Sequence, residues 1–365
     1  MMELYNKKVF NSLFLAGYMI LCFATELSIT LSMHNLFKVL VLFFSFLPLL
    51  LRRDPSIVIR SIIIFVFVAI LDLYNGQLSS VTLYVFSAPL LAAYVLNSKF
   101  DFRILYFAFL LICITLLVAC IRGNSDGILV NSRNFVSVTI LFNSVLITFI
   151  KYRQSHKILL LPAFVSFVIC LFAMGRGGIV CSSLVLFGIV CLKINDCFGK
   201  KVKVLLICLL SSFVLICTPA IIGIYESSEK LERIRDRGFH DYSRERIMDA
   251  YISHMDLSTI IMGYNISEDA TIHDFGDNPH NSYIKVHSHM GIFIIVPLLL
   301  IIHSFFYFIR NRNYLYIVLL LTLLIRCYTD MILLNHYDFI IMIIVLSAIK
   351  SMRERKALLI QKSKV

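Results

Sequence analysis

The chain of 365 residues has no tryptophan and few charged residues, which make up only 15% of it. Hydrophobic residues supply 59% of the chain, and the mean hydropathy is +0.86. A soluble domain of this composition would aggregate, so the composition indicates a membrane protein that crosses the bilayer many times. Because tryptophan is absent, the 30 phenylalanines and 17 tyrosines must supply the aromatic residues at the membrane surface.

Several familiar catalytic and metal-binding patterns are also missing. The chain has no HExxH motif, no cysteine pair with metal-ligand spacing, no phosphate-binding glycine loop and no Ser-His-Asp order in usable context. None of the ten cysteines lies between Tyr225 and Val286, so the longest polar segment has no disulfide framework. The first apolar run lacks an A-x-A cleavage site, and we expect it to be retained as a membrane span.

The apolar runs predict an all-α integral membrane protein with about 12 transmembrane helices. One large loop follows the ninth span. The chain thus divides into spans 1 to 9 at 1–224, a loop or helical cap at 225–287, spans 10 to 12 at 288–350, and a basic tail at 351–365. The spans are expected near 9–31, 36–51, 56–74, 78–96, 104–121, 134–150, 158–174, 177–194, 204–224, 288–309, 314–329 and 337–350.

The net charge of +12 follows this topology. Most of the 34 lysines and arginines fall on the connectors that share a side with both termini, and the positive-inside rule therefore places both termini in the cytoplasm. The large loop then faces outward. The basic excess indicates anionic membrane lipid as a partner, and a nucleic-acid footprint is not expected.

The large loop is predicted to be a small folded cap. It contains a predicted helix at 228–237, a second helix that starts at Asp241 or Ser243 and ends near His254, and a turn at 262–265. Asn278 and Pro279 are predicted to be the N-cap and first residue of the helix that becomes the tenth span.

His280 is the candidate catalytic residue in this segment. In the first turn of that helix, the positive end of the helix dipole would disfavour an imidazolium. A histidine kept neutral near pH 7 can accept a proton, as a general base must. The alternative is a cap or interface histidine that only satisfies backbone groups.

Arginines on the outward side are the candidate anion ligands. Arg176 lies in a Gly-Arg-Gly-Gly turn, where the glycines permit close approach and the guanidinium fork suits phosphate oxygens; alternatively, it snorkels to lipid head groups. Arg244 and Arg246 could each hold a phosphate or pair with acidic neighbours, and Arg133 repeats the pattern more weakly at the head of a span. Those acidic neighbours are Asp241, Glu245 and Asp249.

Two other site classes use the remaining polar residues. His280 and His287 share a helix face and could contribute to a zinc site, whose other possible ligands are His273, Asp274, Asp277 and His289. Glu26 and Asp72 would matter in a transporter, but both are expected near the outer ends of their spans, at the membrane interface. We expect neither a metal nor a cofactor.

Three segments resemble the O-antigen polymerase/O-antigen ligase superfamily of bacterial envelope glycan enzymes. They are Asn278-Pro279-His280-Asn281-Ser282-Tyr283 followed by Gly291-Ile292, Met174-Gly175-Arg176-Gly177-Gly178, and Ser243-Arg244-Glu245-Arg246-Ile247 through Gly263-Tyr264. Their order and membrane side match that family, as does the large loop between the ninth and tenth spans. The 262–265 turn lacks the second glycine often found there, so Arg246 remains a reserve candidate for Arg244.

The resemblance implies a GT-C-like, metal-independent glycosyltransferase at the periplasmic face of the bacterial inner membrane. His280 would activate the acceptor hydroxyl, Arg176 and Arg244 would hold the donor pyrophosphate, and Arg246 and Arg133 are further candidates for this anion. The expected activity is O-antigen polymerisation in lipopolysaccharide biosynthesis, which moves a growing glycan from undecaprenyl pyrophosphate onto a new lipid-linked repeat unit.

The close alternative is an O-antigen ligase that joins the glycan to lipid A–core, and the distant one is a 12-span transporter or lipid-glycan flippase. The expected partners are the undecaprenyl-pyrophosphate-linked oligosaccharide, membrane lipids and a chain-length regulator protein.

Overall fold

The computed structural model describes residues 2–27, 31–51, 55–121, 133–173, 175–197 and 242–362, and in these ranges the regular structure is helical without strands. This confirms the all-α class. The helices are α1 Met2–Leu27, α2 Leu31–Phe46, α3 Pro48–Leu51, α4 Pro55–Tyr74, α5 Ser80–Asn97, α6 Phe102–Ile121, α7 Arg133–Ser155, α8 Leu161–Ala173, α9 Arg176–Cys197, α10 Tyr242–Ser253, α11 Leu257–Met262, α12 Ala270–Asp274, α13 Ser282–Met290, α14 Ile295–Arg310, α15 Tyr314–Thr329 and α16 Asp338–Lys362.

Eight helices within the described ranges are long and apolar enough to cross a membrane. The chain is therefore a multi-pass membrane protein. Two further apolar helices, α8 and α15, are shorter. The predicted ninth span at 204–224 lies outside the described residues, and the total of twelve spans stays a prediction. The candidate spans are Tyr5–Leu27, Ser32–Leu51, Pro55–Tyr74, Ser80–Asn97, Phe102–Ile121, Asn134–Ser155, Arg176–Asn195 and Ser282–Arg310.

The helix that was expected to start at Asn278 instead begins at Ser282, before the predicted span start at 288. Asn281 is its N-cap, because the Asn281 side chain accepts hydrogen bonds from the backbone amides of Tyr283 at 2.8 Å and Ile284 at 3.4 Å. Asn278 forms a different local contact, in which its side chain accepts from the His280 amide at 2.9 Å. The prediction of an Asn278–Pro279 helix start is therefore wrong.

The described part of the cap packs as a small helical unit. The second predicted cap helix is confirmed as α10, whose Ile247 and Tyr251 are buried. Their neighbours in this core are Ile266, Ile272 and Ile284. Since Ile284 belongs to α13, the cap core continues directly into the membrane helix. The other predicted cap helix, at 228–237, lies outside the described residues.

Two glycines attach the cap to the membrane helices. Gly263 follows α11 with a φ of +83°, and Gly291 ends α13 with a φ of +50°. A Cβ on Gly291 would lie 2.8 Å from the Gly263 amide nitrogen and 2.0 Å from the Ile261 carbonyl oxygen. Only glycine combines this backbone conformation with such close contact, which explains both residues at once.

Residues 330–337 connect the end of α15 to the start of α16. We call this stretch the 330–337 connection. The Tyr18 hydroxyl of α1 donates to the His336 carbonyl at 3.0 Å, and the Tyr337 hydroxyl donates to Thr139 Oγ1 of α7 at 3.2 Å. At the opposite end, Lys350 Nζ of α16 donates to Asn97 Oδ1 at the end of α5 at 2.6 Å.

Candidate functional site

The 330–337 connection is held against the segment that carries His280. The Ser282 hydroxyl donates to the Asp330 carbonyl at 2.5 Å and accepts from the amides of Ile332 at 2.7 Å and Leu333 at 3.1 Å. Ser282 is fully buried. This one hydroxyl therefore fixes Asp330 beside the start of α13, two residues after His280.

Arg326 forms a buried ion pair with Asp330 at the end of α15. Its guanidinium is only 1% exposed, and it also donates to Thr329 Oγ1 at 2.7 Å, to Ser137 Oγ at 2.9 Å and to the Asn134 carbonyl at 3.2 Å. A buried arginine needs such partners for its donors because an unpaired buried charge is very unfavourable. Arg326 thus ties α15 to the first turn of α7.

The Gly-Arg-Gly-Gly motif packs against the same group. Its Arg176 begins α9 and is half-buried. A Cβ on Gly177 would lie 2.6 Å from Arg326 Nη1, and one on Gly178 would lie 2.2 Å from Ser137 Cβ. These glycines are therefore explained by close packing between α9, α7 and α15. The motif was predicted to permit close approach of a ligand, but its described close contacts are with other helices.

His280 lies outside α13, one residue before the cap, with a φ of +47°. The prediction that it occupies the first helical turn is wrong, because Asn281 and not Asn278 caps the helix. The residue still lies just beyond the N-terminal end of the helix and is half-buried. A positive φ at a residue other than glycine or asparagine is uncommon, so the local turn fixes where the imidazole can reach.

Arg244 on α10 is half-buried and acts electrostatically on Asp330, whereas Arg246 on the same helix is exposed. Burial raises the pKa of the Asp330 carboxyl, and the charges of Arg326, Arg244 and His280 act on it in the opposite direction. Arg326 contacts this carboxylate directly, and Arg244 and His280 lie near enough to act on it electrostatically. Of the reserve candidates, Arg133 begins α7 one residue before Asn134, but its side chain lies outside the described part of the chain.

Three helices start at this place. The N-terminal ends of α7, α9 and α13 are brought together by the contacts of Ser137, Gly177 and Ser282 with the Arg326–Asp330 pair. Helix N-termini carry partial positive charge and free amide donors, which favour a bound anion. Together with Arg176 and Arg244, they make this end of the bundle suited to a phosphate or pyrophosphate group.

The acidic residues expected at the membrane interface are buried against histidines. Asp72 lies near the end of α4 and is 0% exposed. The Oδ1 atom of Asp72 lies 2.7 Å from His289 Nδ1, and the Thr82 hydroxyl donates to Asp72 Oδ2. Glu26 is 2% exposed, and its Oε1 lies 3.5 Å from His336 Nε2. Their positions near helix ends agree with the prediction, but burial and histidine partners were not foreseen.

The other histidines weighed for zinc go to separate partners. His287 Nδ1 lies 2.7 Å from the Tyr251 hydroxyl, and His273 Nδ1 lies 3.1 Å from Asp277 Oδ1. Among the described residues, no group of three or more His, Cys, Asp or Glu side chains is arranged to hold a metal ion.

An apolar cavity of about 370 Å³ adjoins the site within the bundle. It is lined by side chains of α4, α5, α13, α14 and α16 and of the 330–337 connection. Among its lining residues, Tyr283 and Leu333 follow closely after His280 and Asp330 in the chain, and Asp338 is the one charged group. The cavity has the chemistry and the location to accept a hydrocarbon chain.

The pair Arg326–Asp330 is the part of the site that the sequence did not reveal. Arg326 lies at the end of an apolar run, where an arginine commonly snorkels to the surface, so its position alone does not mark it as part of a site. An acidic residue four positions later was the available signal, because i and i+4 side chains meet on a helix.

The sequence matches no protein-family model and shows no significant similarity to a curated protein.

Proposed function

We propose that the chain is a glycosyltransferase of the O-antigen polymerase type, with its site between the cap and the membrane helices. The observation that carries this proposal is convergence: His280, Arg244 and the Arg176 motif, far apart in the sequence, meet around the buried Arg326–Asp330 pair. The donor is a lipid-linked glycan pyrophosphate, and the acceptor is a hydroxyl of a new lipid-linked repeat unit.

In this proposal His280 removes the proton from the acceptor hydroxyl. The deprotonating oxygen attacks the anomeric carbon of the donor while the bond to the pyrophosphate oxygen breaks. Arg176, Arg244 and the helix N-termini stabilise the negative charge that develops on this leaving group. Arg326 has a structural role in this proposal, because its hydrogen bonds hold the start of α7 against the end of α15.

The apolar cavity supports a lipid-borne substrate. Its lining is nearly free of charge and its volume of about 370 Å³ lies beside Tyr283, directly after the His280 segment. In our proposal part of the isoprenoid chain of the carrier occupies this cavity while the pyrophosphate lies at the helix N-termini. The glycan then extends towards the cap, outside the bilayer.

Alanine substitution of the proposed base and anion ligand tests this function. We expect His280→Ala and Arg176→Ala to abolish polymer while the protein remains in the membrane, since a general base contributes about 10²–10⁴-fold. Arg176→Lys should also be poor, because an ammonium cannot reproduce a bidentate fork. The matched controls are His273→Ala, an exposed cap histidine, and Arg310→Ala, exposed at the end of α14. Full glycan ladders from His280→Ala would overturn the assignment.

The pattern of glycan on a deletion strain distinguishes polymerase from ligase. Loss of a polymerase leaves single repeat units attached to lipid A–core, whereas loss of a ligase leaves none attached. Long ladders on core in the deletion strain would exclude both.

A transporter or lipid-glycan flippase is the second candidate, and the buried acid–histidine pairs favour it. Asp72–His289 and Glu26–His336 are ionisable pairs inside a membrane protein, where such residues commonly mark transport paths. Mutations distinguish the transport function from the glycosyl-transfer function. Transport predicts that Asp72→Asn stops flux of lipid-linked glycan across vesicles, with His280→Ala still active, and glycosyl transfer predicts loss of activity in His280→Ala.

A further inference from the structure

Among the described residues of the site, Asp330 is the one whose charge opposes anion binding. It is 8% exposed, and it sits among Arg326, Arg244 and His280. A carboxylate placed next to cations that hold a pyrophosphate competes with that ligand and weakens its attraction to them. Its presence therefore requires a different reason.

Part of that reason is the buried guanidinium of Arg326, which needs a counter-charge. The guanidinium already donates to Thr329 Oγ1, Ser137 Oγ and the Asn134 carbonyl. A neutral acceptor at position 330 could complete this set of hydrogen bonds, but it would leave the buried guanidinium without a counter-charge. The charge of Asp330, rather than its hydrogen-bonding capacity alone, is what the arrangement preserves.

The backbone keeps Asp330 beside the histidine. Ser282 Oγ is bonded to the Asp330 carbonyl and to the amides of Ile332 and Leu333, so the start of α13 and residue 330 cannot move independently. His280 is joined to Ser282 through Asn281, and its own amide is held by Asn278 at 2.9 Å. One hydrogen-bonded unit thus holds the backbone at 280–282 next to the backbone at 330–333, and the charge of His280 acts on the Asp330 carboxyl.

We propose that Asp330 is a positioning residue that stabilises the imidazolium of His280 formed when this histidine takes the proton of the acceptor hydroxyl. The proposal rests on the glycosyl-transfer function above. The proton moves from the hydroxyl oxygen to a ring nitrogen of His280, the oxygen forms the new glycosidic bond, and the pyrophosphate leaves with the electron pair. Asp330 gains no proton in this step; its negative charge balances the one that His280 acquires.

The effect of Asp330 on His280 has a defined sign. A negative charge nearby favours the charged imidazolium, so removing it lowers the pKa of His280. The cations on the surrounding elements, which are Arg326 on α15, Arg244 on α10 and Arg176 on α9, act in the opposite direction. Because Arg326 offsets part of the carboxylate charge, we expect a shift of about 0.5–1 pH unit, below the 1–3 units of a close isolated pair.

The test is Asp330→Asn, which keeps the shape and an acceptor but removes the charge. The rate constant for diethyl pyrocarbonate modification of His280 is followed against pH by mass spectrometry in detergent-solubilised full-length protein. Only the neutral ring reacts, so the midpoint reports its pKa. We expect the midpoint to fall by about 0.5–1 unit in Asp330→Asn. It should stay unchanged in Asp277→Asn, a control acid in the same cap.

Polymerisation rates provide the second readout. In Asp330→Asn, kcat should fall about 3- to 10-fold, the factor that a shift of 0.5–1 pKa unit represents, with KM changed less. Asp330→Glu, which retains the charge, should keep the wild-type midpoint and serves if the asparagine variant fails to insert. An unchanged midpoint in Asp330→Asn overturns the proposal for Asp330 alone, whereas normal polymerisation by His280→Ala overturns the proposed function itself.

Discussion

Gly178→Ala tests whether close packing between α7 and α9 sets the geometry of the site. The Cβ of the new alanine would lie 2.2 Å from Ser137 Cβ and 2.5 Å from Ser137 Oγ. The hydroxyl can rotate away, but Ser137 Cβ is fixed by its own backbone. One of the two helices must therefore move.

The size of that movement follows from ordinary contact distances. Two carbon atoms rest at about 3.5–4 Å, so the helices must separate by roughly 1.5 Å at this point. Overpacking of this kind costs about 1–3 kcal/mol, and replacing a helical glycine by alanine returns up to about 1 kcal/mol. The net destabilisation is about 0–3 kcal/mol, and we expect the protein to remain folded. A misplacement of about 1 Å near reacting groups costs on the order of 100-fold in rate.

Gly178→Ala should therefore insert normally and lose about 100-fold in polymerisation rate, which is measured with lipid-linked repeat units and purified protein. Gly17→Ala is the matched control, because a Cβ on this α1 glycine meets nothing within 4 Å. Ser137→Gly combined with Gly178→Ala removes the clash and should restore part of the activity. A Gly178→Ala enzyme with the wild-type rate would refute the close packing that we describe.

Further substitutions test the supports of the site. Arg326→Lys cannot make all the contacts of the buried fork and should lose polymer while still inserting; a normal glycan ladder would contradict its role. Lys285→Met leaves the buried Leu334 carbonyl without the ammonium that donates to it at 3.1 Å, at a cost of about 1–3 kcal/mol, measurable as a lower thermal midpoint in detergent. Gly291→Ala combines a φ of +50° with a backbone clash, so cap proteolysis should accelerate; an unchanged digestion rate would count against this junction.

Hydropathy located the membrane helices because the length of an apolar run is itself the signal. Their ends were harder to predict. Pro48 separates α2 from α3 inside one apolar run, and Asn281 starts α13 before the predicted span begins. In both cases the backbone requirement of one residue decides where the helix begins. Hydropathy is averaged over about twenty neighbours and cannot locate such a residue.

The candidate site could be predicted only in part from the sequence. His280, Arg176 and Arg244 stand out because polar residues are scarce in this chain. Arg326 and Asp330 lie at the end of an apolar helix, and their setting depends on contacts with Asn134 and Ser137, far away in sequence. Spacing along one helix cannot report such contacts.

The most direct measurement of the central claim is polymerisation by the purified protein in detergent or nanodiscs, supplied only with an undecaprenyl-pyrophosphate-linked repeat unit. We predict that the wild-type protein forms a glycan ladder and releases one undecaprenyl pyrophosphate for each bond formed, and that His280→Ala does neither. Absence of release from an active wild-type preparation, or equal ladders from His280→Ala, would contradict the proposal.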